Sequence, residues 1–251
     1  MTDIESRVQR QVDLTRRVAA EVVGSAFLLA AVVGSGIMGE RLSGGNVGLA
    51  LLANTLATGA ALVALILTFG PISGAHFNPA VTLADASQRG LPWGEVPAYV
   101  AAQVGGAFVG VAIADLMFSE PMFSLSRHIR QGPAQLLSEF VATFGLLAVI
   151  WGCSRLRSAA VPFAVGAYIT AAYWFTASTS FANPAVTLAR CVTDTFAGIR
   201  PADVPGFILA QLIGASAATT LFRWLIPTLP QVAPEVITAH LAPVGTEEKP
   251  A

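Results

Sequence analysis

Two copies of one hexapeptide contain the residues of this chain that are best suited to contact a polar solute. Pro79–Ala84 recurs unchanged as Pro184–Ala189, and an asparagine precedes each copy, at Asn78 and Asn183. Asparagine is a favoured N-cap residue and proline loses no hydrogen bond at the first helical position, so each copy predicts a helix start. A helix N-terminus has a partial positive charge, and an asparagine amide donates hydrogen bonds. The motifs therefore indicate sites that favour uncharged, hydroxyl-bearing solutes and repel cations.

Two further pairs of residues recur in the same order as the asparagines. Glu21 matches Glu139, and Gln103 matches Gln211, each glutamine lying in an Ala-Gln-(Val/Leu)-x-Gly segment. One motif alone is also typical of an ordinary helix start. The three landmarks, however, recur at offsets of 118, 105 and 108 residues, and this indicates an internal repeat.

The composition places this repeat in a membrane. Of the 251 residues, 54% are hydrophobic and only 12% are charged, about half the charged share of a typical soluble domain. Six apolar stretches are long enough to cross the hydrocarbon core: Val18–Met38, Val47–Phe69, Val96–Phe118, Ala134–Trp151, Ala159–Phe175 and Val204–Pro227. Two more, Phe77–Ala84 and Phe181–Ala189, are too short and predict re-entrant half-helices. The net charge of −1 gives no basic surface for nucleic acid.

Three spans in each repeat require the second repeat to insert in the opposite orientation. The half-helices then enter from opposite faces and meet at the midplane. The predicted fold class is all-α integral membrane, with six transmembrane helices, two re-entrant half-helices and an inverted repeat. Residues 17–229 form one domain, with repeats at about 17–118 and 134–229.

The two ends of the chain are predicted to lie in the cytoplasm. Residues 1–16 fit an amphipathic surface helix and a frayed polar tail equally well, and residues 230–251 are predicted to be disordered. With both termini inside, nine Lys and Arg residues lie on the inner side and five on the outer side. This distribution predicts a multi-pass protein of the cell (inner) membrane.

The segment Ser73–Thr82 resembles the first signature of the aquaporin (major intrinsic protein) family, and Asn183–Ala185 resembles the second. The resemblance covers about Arg17 to Leu229. It implies a right-handed bundle with one pore per subunit, assembled as a homotetramer. It also implies that the pore is lined by the two motifs, Asn78, Pro79, Ala80 and Asn183, Pro184, Ala185, and by backbone carbonyls of Gly74, Ala75, His76, Phe77, Phe181 and Ala182.

Glu21 and Glu139 are ionisable residues within predicted spans. Such a carboxylate can move a proton, or it can accept hydrogen bonds from the unpaired backbone of a neighbouring re-entrant loop. We expect the second role. His76 fits a pore-lining role and a loop-fixing role equally well, and Asp115 is expected to face water at the outer end of its span.

Neither a catalytic nor a metal-binding set of residues is evident. His128 and His240 are expected to be solvated, and the chain has no Ser-His-Asp, Cys-His or metal-spaced group. We therefore expect no enzymatic activity, no cofactor and no metal.

The chain departs from the family pattern after the second motif. Val186 stands three residues past Asn183, where most members have arginine, and the nearest arginine, Arg190, is one helical turn further toward the outer mouth. The resemblance assigns Thr58 and Ser180 to the outer constriction, together with either Ala171 or Tyr173; helix phase favours Tyr173. A filter of Thr58, Tyr173, Ser180 and Val186 is expected to be wide and to lack a fixed positive charge.

This filter is similar to that of a bacterial branch of aquaglyceroporins encoded with arsenic-resistance genes. The resemblance implies passive passage of arsenite, As(OH)3, and of methylated arsenicals, antimonite, glycerol, urea and water. One alternative is a water- or glycerol-selective channel without a metalloid role. Another is a secondary transporter with Glu21 or Glu139 as proton carrier, because inverted repeats with broken helices occur there too. The expected partners are these solutes, the lipid bilayer and further copies of the chain.

Overall fold

The computed structural model describes residues 12–154 and 158–227, and within these ranges the regular structure is entirely helical. Its α-helices are α1 (Leu14–Leu42), α2 (Val47–Ser73), α3 (Pro79–Ser87), α4 (Val96–Phe118), α5 (Pro133–Ser154), α6 (Val161–Phe175), α7 (Pro184–Ala189) and α8 (Val204–Leu225). Short 3-10 turns cover Ser158–Ala160, Arg190–Val192 and Pro201–Asp203. Residues 1–11 and the predicted tail at 230–251 lie outside the described residues.

The long helices have the length and composition of membrane spans. Five of them, α1, α2, α4, α5 and α8 with its preceding turn, are long and apolar enough to cross a membrane. Helix α6 is apolar but has only 15 residues, and a 3-10 turn precedes it. Helices α3 and α7, with nine and six residues, are the two half-helices. The predicted fold class is confirmed.

Both half-helices begin later than their apolar stretches suggest. Helix α3 begins at Pro79 rather than Phe77, and α7 at Pro184 rather than Phe181. The preceding asparagines have extended backbones and cap the helices, so the residues before them belong to loops. Helix α1 begins earlier than predicted, because the Asp13 side chain accepts a hydrogen bond from the Arg16 amide and caps it.

The two repeats pack their helices through glycines at equivalent positions. A Cβ atom added to Gly106 in α4 would overlap the carbonyl oxygen of Val22 in α1. A Cβ atom added to Gly214 in α8 would overlap the carbonyl oxygen of Phe140 in α5 in the same way. The paired helices therefore touch backbone to backbone, which is how small residues bring membrane helices together.

Ion pairs at the helix ends define the two faces of the bundle. Arg17 and Glu95 (2.8 Å) join the starts of α1 and α4, and the Arg41 guanidinium donates to the Phe118 carbonyl and to Glu120 at their ends. Helices α1 and α4 therefore run parallel. We call the face with the start of α1 and the end of α8 the terminal face, and the opposite face the distal face.

Candidate pore

A cavity of about 350 Å³ extends between the half-helices, from Ala159 and Pro162 near the terminal face to Arg190 near the distal face. One wall is aliphatic and is formed by Leu28, Val32, Leu62, Ile66, Val81, Leu146, Ile150, Val161, Val165 and Ile169. The other wall is formed by the two re-entrant loops, Gly74, Ala75, His76, Phe77 and Asn78 with Ser180, Phe181, Ala182 and Asn183. The structure thus places the asparagines of both motifs and all the predicted carbonyl-track residues at one cavity. The other motif residues do not line it as expected, because they are buried within the half-helices: Pro79, Ala80, Pro184 and Ala185.

The two loops share an unusual backbone. Ala75 and Phe77 in the first loop, and Ser180 and Ala182 in the second, all have a φ of 49°. L-residues rarely occupy this region, at a cost of about 1–3 kcal/mol each, and such residues persist only where their surroundings fix them. The loops therefore need partners for their backbone.

Glu21 supplies the partners of the first loop. Its Oε1 accepts hydrogen bonds from the His76 amide (3.0 Å) and the Ser73 hydroxyl (2.7 Å). Its Oε2 accepts from the Phe77 amide (2.8 Å) and from the side-chain amide of Gln103 (2.7 Å). Each oxygen of this buried carboxylate therefore accepts two hydrogen bonds.

Glu139 does the same in the second repeat. Its two oxygens accept from the Phe181 and Ala182 amides, each at 2.9 Å, and from the side-chain amide of Gln211 at 2.6 Å. Both glutamates are fully buried and lie behind the loops rather than in the cavity lining. Their positions fit the stabilisation of strained loop backbone.

The two asparagines link the half-helices to each other. Each Oδ1 accepts from the amide two residues later, at 2.9 Å. The Asn78 amide donates to the Ala182 carbonyl (2.8 Å), and the Asn183 amide donates to the Phe77 carbonyl (2.7 Å). An amide nitrogen has two hydrogens, so one donor on each asparagine stays available to the cavity.

In each repeat, a threonine of the half-helix accepts a hydrogen bond from the glutamine that also donates to the buried glutamate. The Gln103 side chain donates to the Thr82 hydroxyl, and the Gln211 side chain donates to Thr187, both at 2.8 Å. Sequence reasoning missed this role, although both threonines belong to the repeated hexapeptide. The Nδ1 atom of His76 lies 3.0 Å from the Thr82 hydroxyl, and His76 also lines the cavity. Its position therefore fits both roles that the sequence left open, pore lining and loop fixing.

All four residues of the expected filter line the cavity: Thr58, Tyr173, Ser180 and Val186. The Tyr173 hydroxyl lies 3.4 Å from the Thr58 hydroxyl, across two helices. Ala171, the alternative to Tyr173, is exposed. Of the two alternatives, the structure therefore places Tyr173 at the cavity.

The expectation that this end of the cavity lacks a fixed positive charge is wrong. Arg190 begins the 3-10 turn that follows α7, is 2% exposed and lines the cavity together with Val186. Its guanidinium carbon lies 3.4 Å from the centroid of the Phe181 ring. The Cα atom of Arg190 lies one helical turn beyond Val186, as the sequence indicates, but its long side chain still reaches the cavity.

A second arginine near this site has no counterpart in the sequence prediction. Arg130 lies in the connection between α4 and α5, and its Nη1 donates to the Ser178 carbonyl at 3.2 Å. Its guanidinium carbon lies 4.9 Å from the Phe181 ring centroid. No sequence motif marks this residue, because its position depends on the path of a long connection.

Asp115 does not face water as expected. It is buried at the end of α4 and accepts a hydrogen bond from the Thr193 hydroxyl at 2.9 Å, because the segment after α7 packs over it. His128 is exposed, and His240 lies outside the described residues. Among residues 12–154 and 158–227, no group of three or more His, Cys, Asp or Glu side chains is placed to hold a metal ion.

Comparisons with known proteins agree with this architecture. The family model described as Major intrinsic protein matches residues 8–157 and 153–247. The aquaglyceroporin AqpS of Rhizobium meliloti is 56% identical over 230 residues, covering 90% of this chain and 98% of that protein. Aquaporin Z of Bradyrhizobium diazoefficiens is 30% identical over 227 residues, covering 84% and 93% of the two chains.

A solved structure has the same fold. The crystal structure of the aquaglyceroporin from Plasmodium falciparum superposes with a TM-score of 0.66 at 21% identity, covering 87% of this chain and all of that one. The resemblance to the aquaporin (major intrinsic protein) family is confirmed by the family match and by the two relatives of nearly full length. This chain belongs to the major intrinsic protein family.

Proposed function

We propose that this protein is a passive channel for small uncharged solutes. The observation that supports this most directly is the two-sided lining of the 350 Å³ cavity, aliphatic on one side and loop backbone with two asparagine amides on the other. A solute with hydroxyl groups can exchange hydrogen-bond partners along such a wall. An ion would lose its hydration beside an aliphatic wall, which is costly without a counter-charge.

Glycerol and water are the first solutes that we propose, since a relative that is 56% identical is named an aquaglyceroporin. Arsenite follows from the same chemistry, because As(OH)3 is uncharged and has three hydroxyl groups, like glycerol. Thr58 and Val186 stand where water-selective members of the family resembled above have an aromatic residue and an arginine. Smaller side chains there favour wider solutes, including urea, and a methylated arsenical can place its methyl group against the aliphatic wall.

The carboxylates support a pore rather than a proton-coupled transporter. Glu21 accepts four hydrogen bonds and Glu139 accepts three, from loop amides and buried polar side chains. Protonating either one would replace an acceptor with a donor that faces other donors. We propose that both glutamates brace the loops.

We further propose a homotetramer in the inner membrane, with the terminal face and both termini in the cytoplasm. Large apolar side chains are exposed on the outside of the bundle, including Leu52, Leu56, Ile113, Phe163 and Ile213, and lipid or neighbouring subunits would cover them. Cross-linking in native membranes tests the assembly. Protease access to the C-terminal residues from either side tests the orientation.

Flux into proteoliposomes tests the channel. Purified protein is reconstituted, and the rates of water, glycerol, urea and As(OH)3 entry are measured against empty liposomes. The Thr58→Phe variant should slow As(OH)3 and glycerol more than water. Leu56→Phe, two residues earlier and 55% exposed on the outside, is the matched control and should leave all rates unchanged. Solute accumulation above the external concentration, driven by a pH gradient, would contradict a passive channel.

A further inference from the structure

The distal mouth contains two arginines that have no salt-bridge partner among the described residues. Arg130 and Arg190 form no ion pair within the described residues, whereas the other arginines at this face are paired, Arg41 with Glu120, Arg127 with Asp194 and Arg200 with Asp203. We propose that Arg130 and Arg190 form an anion-binding site that takes small, singly charged oxyanions such as sulfonates and carboxylates.

Arg130 and Arg190 both line one small cavity. This second cavity, of about 200 Å³, is lined by Arg130 and Arg190 with His128, Gln135 and Thr179, among others. Arg190 also lines the main cavity. An anion held by Arg190 therefore lies between the distal face and the filter, on the route of a solute.

Each guanidinium is fixed, yet each keeps donors for a ligand. The Nε atoms of Arg190 and Arg130 donate to the carbonyls of consecutive residues, Ala197 and Gly198. Both arginines also lie against the ring of Phe181, a cation–π contact that orients the guanidinium planes. In the part of the chain that the structure describes, neither amino nitrogen of Arg190 donates to a protein acceptor. Nη1 of Arg130 donates to the Ser178 carbonyl and lies 3.4 Å from the Thr179 hydroxyl. The amino groups that are not engaged in this way can donate to the oxygens of an oxyanion.

Two carboxylates in this region accept hydrogen bonds from other donors. Glu139 lies behind Phe181, and its oxygens accept hydrogen bonds from the loop amides and Gln211. Asp203 accepts from the backbone amide of Arg130, at 2.9 Å, and pairs with the Arg200 guanidinium. Neither carboxylate forms a salt bridge with the two proposed ligand-binding guanidinium groups.

The inverted repeat shows that this charge is specific to the distal mouth. The hexapeptide is followed by Asp85 in the first repeat and by Arg190 in the second, at the same 105-residue offset as the asparagines. Asp85 lies 3.7 Å from His76, and Arg190 lies against Phe181, the equivalent of His76. Symmetry-related positions thus have an acidic and a basic residue, and of the two only Arg190 lines the main cavity.

Methanesulfonate is a suitable probe, because it is a small oxyanion that stays ionised near neutral pH. Glycerol entry into proteoliposomes is measured while methanesulfonate replaces chloride at constant ionic strength on both sides. This readout rests on the proposed glycerol conduction. We expect the wild-type rate to fall saturably, and Arg190→Gln to raise the half-inhibiting concentration by about tenfold or more, because a charge-assisted pair is lost.

Arg127→Gln is the matched control. It is the same substitution in the same connection as Arg130, but the Arg127 side chain is 89% exposed and already paired with Asp194. We expect its inhibition curve to match the wild type. Arg130→Gln is the second test variant, and its inhibition should also weaken.

Thermal unfolding in detergent gives a readout that needs no conduction. A ligand that binds the folded state raises the unfolding temperature, so methanesulfonate should stabilise the wild type more than it stabilises Arg190→Gln or Arg130→Gln. If the wild type conducts no glycerol in chloride, the proposed function fails, and the unfolding shift still tests the site. If neither flux nor unfolding responds to methanesulfonate, or if both arginine variants respond like the wild type, the anion site is refuted.

Discussion

Replacing Glu139 with glutamine distinguishes a carboxylate that holds a loop from one that moves a proton. A glutamine keeps one acceptor oxygen for three donors, the Phe181 and Ala182 amides and the Gln211 side chain. Its better orientation turns the new NH2 group toward the Phe181 amide and leaves that amide without an acceptor. An unsatisfied buried donor costs about 1–3 kcal/mol, and the two remaining hydrogen bonds lose their charge assistance. We therefore expect a loss of about 2–3 kcal/mol in stability.

The assay combines thermal unfolding in detergent with glycerol flux per folded channel. For a chain of this length, about 1 kcal/mol corresponds to roughly 2–4 °C in the unfolding temperature. Glu120→Gln is the matched control, because Glu120 contacts Arg41 at the distal surface and no loop amide, and a surface ion pair contributes about 0–1 kcal/mol. Folded Glu139→Gln channels should conduct glycerol at an undiminished rate.

One result would refute this reasoning. If Glu139→Gln unfolds at the wild-type temperature but conducts nothing, the carboxylate acts on the solute or on a proton instead of on the loop. The coupled-transporter alternative would then regain support. A pH gradient that drives solute accumulation in the wild type but not in the variant would establish it.

Three further predictions address the pore and its packing. Asn183→Asp places a carboxylate at the positive end of α7, so glycerol flux should fall, or a cation leak should be detected as proton entry with a pH-sensitive dye. Asn46→Asp, at the exposed cap of α2, should have neither effect, and equal behaviour of the two variants would contradict the prediction. Val186→Arg should reduce As(OH)3 and glycerol flux more than water flux in protein that assembles normally, and unchanged solute ratios would remove Val186 from the filter. Gly106→Ala forces a methyl group onto a backbone carbonyl of α1 and should lower the free energy of unfolding by about 1–3 kcal/mol, whereas Gly105→Ala, with open space beside it, should be neutral or stabilising. A Gly106→Ala protein as stable as the wild type would show that α1 and α4 can move apart without cost.

The topology of this protein follows from local properties of its sequence. Apolar length predicts the long helices, and the bounds of α4 match the predicted span, Val96–Phe118, to the residue. The Asn-Pro pairs mark the half-helix starts because capping depends on neighbouring residues. The matched glutamates and glutamines reveal the inverted repeat, and with it the meeting of Asn78 and Asn183.

The loop backbone has a weaker sequence signal. In the two loops the left-handed residues are Gly74, Ala75, Phe77, Thr179, Ser180 and Ala182, and only the first is a glycine, the residue type that usually marks this conformation. The apolar stretches extended the predicted half-helices back to Phe77 and Phe181, into the ends of these loops. Buried carboxylates hold the strained backbone, and those contacts join residues more than 40 positions apart.

The charge at the distal mouth depends on tertiary packing. The sequence gives the register of Arg190, but only the three-dimensional contacts show that its side chain lies against Phe181 and lines the cavity. The same applies to Arg130, which arrives from a connection without a repeating pattern, and to Asp115, which a later segment covers. A hydropathy pattern or a cap describes neighbours along the chain. The direction of a long side chain and the path of an irregular connection depend instead on contacts between distant segments, and these form only when the bundle is assembled.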